Sequence, residues 1–126
     1  MPIRSEADVV MVRQRTRVLA AEAGLSLVDV TKLVTATSEL ARNTLIYGGG
    51  GEALIECLQD GIRKGVRLTF SDEGPGIPDL EKAMTDGWTS GSGMGLGLSG
   101  AKRLSGEFSI DTSPGQGTRV MIARWK

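Results

Sequence analysis

Glu39 and Asn43 stand four residues apart in Ser38-Glu-Leu-Ala-Arg-Asn43. On a helix that spacing puts both on one flank, off the apolar stripe. A carboxylate beside a side-chain amide suits phosphoryl transfer. A hard Mg²⁺ accepts an amide oxygen alongside phosphate oxygens and waters, and a nearby carboxylate can take a proton from an attacking hydroxyl. The same pair is common on solvated helix faces, so its meaning depends on what else the chain supplies.

Three further segments bear on that question. In Asp72-Glu-Gly-Pro-Gly76-Ile, Asp72 continues the inward face set by Val66, Leu68 and Phe70 along the preceding strand. A carboxylate ending an apolar face needs a donor. The exocyclic amino group of adenine would serve, and so would backbone amides in a simple turn at Pro75-Gly76. Gly91-Ser-Gly-Met-Gly-Leu-Gly97-Leu-Ser-Gly100 runs glycine-rich backbone into a helix start, a ready cradle for phosphate. Within it Gly95-Leu-Gly97-Leu-Ser-Gly100 has the form G-x-G-x-x-G, but no strand leads in and no βαβ repeat surrounds it, so a dinucleotide fold is rejected. A P-loop fails too, for want of Gly-Lys-Ser/Thr. A flexible linker would not need the alternating Met94, Leu96 and Leu98. Finally, Gly115-Gln-Gly-Thr118 closes a hairpin, with Thr118 on the parity of Val120 and Ile122.

The elements that must carry these groups follow from caps, periods and breakers. Ser5-Glu-Ala-Asp8 and Ser26-Leu-Val-Asp29 have capping-box spacing. They predict a helix to about Ala23, stopped at Gly24, and a second to about Tyr47, stopped at Gly48. Val30, Leu33, Val34, Thr37, Leu40, Ala41 and Thr44 form the core face of the second. Residues before Ser5 could add a short edge strand. Glu52–Gln59 and Lys64–Ser71 flank a turn at Asp60-Gly61 and read as a hairpin. Gly74–Ser92 reads as loop and Met94–Leu104 as a third helix. Glu107–Asp111 and Thr118–Trp125 pair around Ser113-Pro-Gly-Gln-Gly117. This order predicts an α+β fold, a two-layer α/β sandwich with helices on one face of a mixed, mainly antiparallel sheet.

Bulk composition narrows the classes. The 126 residues suit one domain, able to bury about 65–70 % of its unfolded surface. Lys+Arg and Asp+Glu are both 15, so no net field points to nucleic acid or membrane. One cysteine, Cys57, and no histidine exclude a disulfide framework, an ordinary zinc site and phosphorylation of the chain's own histidine. No apolar leader heads the chain, and no run approaches the roughly 18–20 residues of a membrane span. The expectation is a soluble, cytoplasmic protein.

In order and spacing together, these segments resemble the GHKL (Bergerat-fold) ATPase and kinase superfamily. Glu39-Leu-Ala-Arg-Asn43 resembles its N box, Asp72-Glu-Gly-Pro-Gly76 its first glycine box, and Gly93-Met-Gly-Leu-Gly97 its second; Gly117-Thr118 resembles the closing motif. The likeness spans about Ser26 to Trp125. It is strongest to the RsbT-type serine kinases of the bacterial stressosome, carried by Ala83-Met-Thr-Asp-Gly-Trp-Thr-Ser, by Gly97-Leu-Ser-Gly-Ala-Lys-Arg-Leu104 and by the Tyr47-Gly-Gly ending of the second helix. Thr44, where alanine is commoner, and Leu98-Ser99, where Leu-Pro is commoner, depart from the pattern without touching a catalytic position.

The resemblance implies ATP and Mg²⁺ as cofactors, Glu39 as general base or orienting carboxylate and Asn43 as the Mg²⁺ ligand. Asp72 would bind the adenine amino group, supported by Thr118, and Gly74 and Gly76 would let nucleotide approach closely. Gly93, Met94, Gly95, Leu96 and Gly97 would form a lid against the phosphates, with Arg13 and Arg42 as phosphate or partner contacts. The implied function is phosphorylation of a STAS-domain antagonist or scaffold protein on Ser or Thr, freeing the kinase for another partner such as a phosphatase it activates. An anti-sigma factor kinase of the same fold is the near alternative. A non-catalytic module that binds ATP as a conformational ligand is the alternative of another class. Gyrase-, mismatch-repair- or chaperone-type ATPases need domains that 126 residues cannot hold.

Overall fold

The computed structural model describes residues 1–77, 84 and 98–126. Ser5 opens helix α1, Glu6–Glu22, its hydroxyl accepting from Asp8 N at 3.3 Å. Asp8 Oδ2 answers by accepting from Arg4 N at 2.8 Å, one residue outside the reciprocal bond of a capping box. The helix ends at Ala23, and Gly24 turns the chain at φ 88°. Leu25 N then donates to Ala20 O, closing the end.

Ser26 caps helix α2, Leu27–Ile46, accepting from Asp29 N at 3.1 Å. Every residue expected on its core face is buried, from Val30 through Thr44, and Ala36 joins them. Glu39 and Asn43 lie half-buried beside that stripe.

Five strands make one sheet in the order β1-β2-β3-β5-β4. Strand β1, Pro2–Ile3, is the short edge strand, on β2, Gly51–Asp60. Strand β3, Arg63–Asp72, runs one residue past the expected limits at both ends, so the first hairpin turns at Gly61-Ile62 rather than Asp60-Gly61. Gly61 takes φ 63°, the left-handed geometry a two-residue hairpin demands. Strand β4, Glu107–Thr112, pairs with β5, Thr118–Trp125. Every described pairing is antiparallel, where the sequence led us to expect a mixed sheet.

Cross-strand register builds the core. Leu68 lies between Ile55 and Ile122, and Phe70 between Ala53 and Val120. These pack with Ile3, Val9, Val12, Leu33 and Leu40 of β1 and the helices. Helix α3, Leu98–Leu104, adds Leu98 and Ala101 to the same layer. Residues 94–97 of the expected third helix lie outside the described residues. The result is the two-layer α+β sandwich. No helix among the described residues is long and apolar enough to cross a membrane.

Candidate active site

Two chain segments end at one point. The inward parity of β3 that buries Val66, Leu68 and Phe70 delivers Asp72 to the rim of the core, half-buried, opposite Thr118 in register. The last turn of α2 arrives beside it, so close that a Cβ on Gly48 would sit inside the carboxyl group of Asp72. Only glycine fits there. Gly117, at φ 80°, is the second such position, because a Cβ there would strike the carbonyl oxygen of Asp72.

Around Asp72 the two layers leave an apolar pocket. Leu40, Asn43, Thr44 and Tyr47 of α2 form one wall, and Phe70, Thr118 and Val120 of the sheet form another. Ile77 and Leu98 complete its lining. Burial raises the Asp72 pKa above the usual carboxylate value, while backbone N–H bonds from Gly74 and Thr118 partly offset that rise. The Gly74 N to Oδ1 bond is 2.9 Å. A half-buried acceptor at the end of an apolar slot is what a flat, apolar ring with one exocyclic amino group requires.

A broad polar groove opens on the other side of the same strand ends, lined by Gly49–Glu52, Glu73, Asp111 and Arg119 among others. It shares Gly48, Asp72 and Thr118 with the apolar pocket, but neither Asn43 nor Glu39 lines it. The smaller pocket is therefore the one that joins the carboxylate to the amide.

The other candidates fall as follows. Glu39 stands one turn before Asn43 on α2, half-buried, with Arg42 Nη1 4.0 Å from its Oε1. Arg42 thus faces the carboxylate. Arg13 is half-buried on α1 and lines neither cavity. Gly74 and Gly76 have a reason the sequence did not suggest. A Cβ on Gly74 would crowd Gly48 and the Tyr47 carbonyl, and one on Gly76 would strike Ser113 O. Gly76 also lines the apolar pocket. Gly93, Met94, Gly95, Leu96 and Gly97 lie outside the described residues.

Thr118 meets Asp72 through its backbone amide, and its hydroxyl is 2.9 Å from Thr112 Oγ1. Thr112 Oγ1 also accepts from Ile77 N at 3.0 Å, tying the pocket's lining to the second hairpin. Thr112 and Ile77 were not singled out from sequence, and Thr44 and Tyr47 were named there without a place in the pocket. Thr44 could have been given one, since its core-stripe position one residue beyond Asn43 places it on the pocket wall.

Comparison with known proteins gives the same frame. The chain is 44 % identical over 123 residues to the serine/threonine-protein kinase RsbT of Bacillus subtilis (strain 168), covering 98 % of this chain and 92 % of the relative. It is 35 % identical over 104 residues to an anti-sigma F factor of Bacillus licheniformis, covering 76 % and 69 %. In fold it is similar to full-length ShkA in complex with AMPPNP, with a TM-score of 0.58 and 24 % identity, covering 98 % of this chain and 30 % of that one. The nucleotide-free catalytic domain of the histidine kinase ThkA gives a TM-score of 0.53 at 23 % identity, covering 76 % and 67 %. Residues 28–126 match the family described as Histidine kinase-, DNA gyrase B-, and HSP90-like ATPase, and the chain belongs to it.

Proposed function

We infer that this chain is an ATP-dependent protein serine/threonine kinase of a partner-switching pathway. The observation that carries the reading is the apolar pocket that joins the Asp72 carboxylate to Asn43, with Glu39 one turn away on the same helix. It is supported by the identity to a serine/threonine-protein kinase over nearly the whole chain.

In this reading Asp72 accepts from the adenine amino group, and the ring lies between α2 and the sheet. Asn43 offers its amide oxygen to Mg²⁺. No group of three or more acidic, histidine or cysteine side chains able to hold a metal occurs among the described residues. A Mg²⁺ held by Asn43 would take the rest of its shell from phosphates and waters. ATP supplies the phosphoryl group. Glu39 takes the proton of a partner's Ser or Thr hydroxyl, with Arg42 Nη1 4.0 Å from its Oε1. Positioning and charge neutralisation provide most of the acceleration. Arg13, on α1, is offered as a phosphate or partner contact, and residues 93–97 as the phosphate-side lid.

The substrate class is a STAS-domain antagonist or scaffold protein, and phosphorylation releases the kinase to a further partner such as a phosphatase. We place this exchange in the cytoplasm, as the single cysteine suggests. Incubation with labelled ATP·Mg²⁺ and a panel of STAS-domain proteins from the same organism tests it. Label on serine or threonine of one panel member is the expected result. Label on none of them, with nucleotide binding intact, would favour a module that uses ATP only to set conformation. The relatives named anti-sigma F factors make a second reading specific. Stable, ATP-dependent capture of a sigma factor would move the assignment to that branch.

A further inference from the structure

Arg124 lies on the inner face of β5, in line with Val120 and Ile122, where the strand's alternation favours an apolar side chain. Its guanidinium reaches two helices at once. Nη1 donates to the carbonyl of Leu104, the last residue of α3, at 3.0 Å. Nη2 donates to Asp29 Oδ1, in the first turn of α2, at 3.0 Å. The two side chains are only 20 % and 31 % exposed, and Nε is sealed with no hydrogen-bond partner among the described residues.

Such a group is a poor choice for stability alone. A shielded ion pair gains little over apolar side chains of similar volume, and a sealed N–H without a partner adds cost. What the arginine does that a methionine cannot is join three elements at one point. Helix α3 has seven residues, too few to hold itself together. At one end it buries Leu98 in the apolar pocket next to Asn43 and Thr44. At the other, Ser105 folds back on Ala101 O, and Leu104 O, one of the orphan carbonyls of the helix end, goes to Arg124. The short helix thus runs back along α2, pinned at the pocket by packing and at its far end by a charge-assisted bond.

We propose that Arg124, held by Asp29, is a positioning residue for nucleotide binding: it fixes α3 lengthwise on α2 and so sets where Leu98 lines the pocket that holds Asp72. This rests on the adenine reading of that pocket. It assigns a role in the site to two residues remote from it, outside every motif that marks it in the sequence.

The test is the dissociation constant of AMPPNP·Mg²⁺, with the nucleotide-free melting temperature as companion. Arg124→Met is expected to weaken binding about tenfold, the scale of one charge-assisted hydrogen bond, and to lower the melting temperature because Asp29 and Leu104 O lose their partner. Arg124→Lys can reach one partner but not both, so it recovers part of the loss. Asp29→Asn weakens binding in the wild-type background and adds less than about threefold to Arg124→Met, as coupled residues do. Binding within about twofold of wild type in Arg124→Met would overturn the proposal and leave a purely structural staple. If that variant does not fold, Arg124→Lys is judged by the same criterion. Asp72→Asn, measured alongside, separates the two failures. Unweakened binding there removes the pocket reading and the proposal with it. Weakened binding there beside unchanged Arg124 variants overturns the positioning role alone.

Discussion

Replacing Asp72 by asparagine should raise stability and remove affinity in one step, because the two properties draw on different atoms. Asparagine keeps a carbonyl oxygen that can accept the 2.9 Å bond from Gly74 N. It removes the charge whose burial raises the carboxyl pKa. The folded protein then binds this proton more tightly than the unfolded chain does. As pH rises from the ordinary aspartate value of 3.8 through the raised folded value, wild type therefore loses stability relative to the variant. Above that window the difference is constant. In the nucleotide complex the sign reverses. In the proposed contact the carboxylate would accept from the adenine amino group, whereas the asparagine NH₂ would present donor to donor. Losing a hydrogen bond to a charged acceptor costs about 2 kcal/mol, or about thirtyfold in dissociation constant. Calorimetric titration with ADP·Mg²⁺ and urea unfolding between pH 3.5 and 7 read the two effects. The reasoning is refuted if affinity stays within about threefold of wild type, or if the variant loses relative stability as pH rises through the window.

Three other substitutions probe the frame that brings Asp72 to the pocket. Gly117→Ala puts a Cβ against Asp72 O at φ 80°, and is expected to cost about 2 kcal/mol or more in urea unfolding. Leu68→Ala removes a fully buried side chain between Ile55 and Ile122, for a loss of about 2–5 kcal/mol on the same assay. Ser26→Ala deletes the 3.1 Å cap at Asp29 N and should cost about 1 kcal/mol, read as a lowered melting temperature with nucleotide affinity nearly unchanged.

Local chemistry was legible wherever one residue decides one conformation. Ser5 and Ser26 start helices because a side-chain oxygen satisfies an orphan N–H, and Gly24 ends one because φ 88° is open to it. Strand alternation placed Asp72 and Thr118 on the inner face before any pairing was known, and the register sets them opposite each other. The reason for Gly74 and Gly76 was not legible, since their neighbours, Gly48, Tyr47 and Ser113, come from distant parts of the chain. Arg124 left a trace, as a cation on an apolar parity, but its partners Asp29 and Leu104 O are fixed only by how α2 and α3 lie across β5. The turn at Gly61-Ile62 was displaced by one residue because Asp60 and Arg63 pair, which the Asp-Gly signal alone does not reveal.

We propose that Glu39 performs the proton transfer while the pocket around Asp72 holds the nucleotide. Single-turnover phosphoryl transfer from ATP·Mg²⁺ to the partner protein, compared between wild type and Glu39→Ala at saturating nucleotide, tests it most directly. The account predicts a rate lower by about 10²–10⁴ with nucleotide affinity within about threefold. Transfer by Glu39→Ala at the wild-type rate would contradict it.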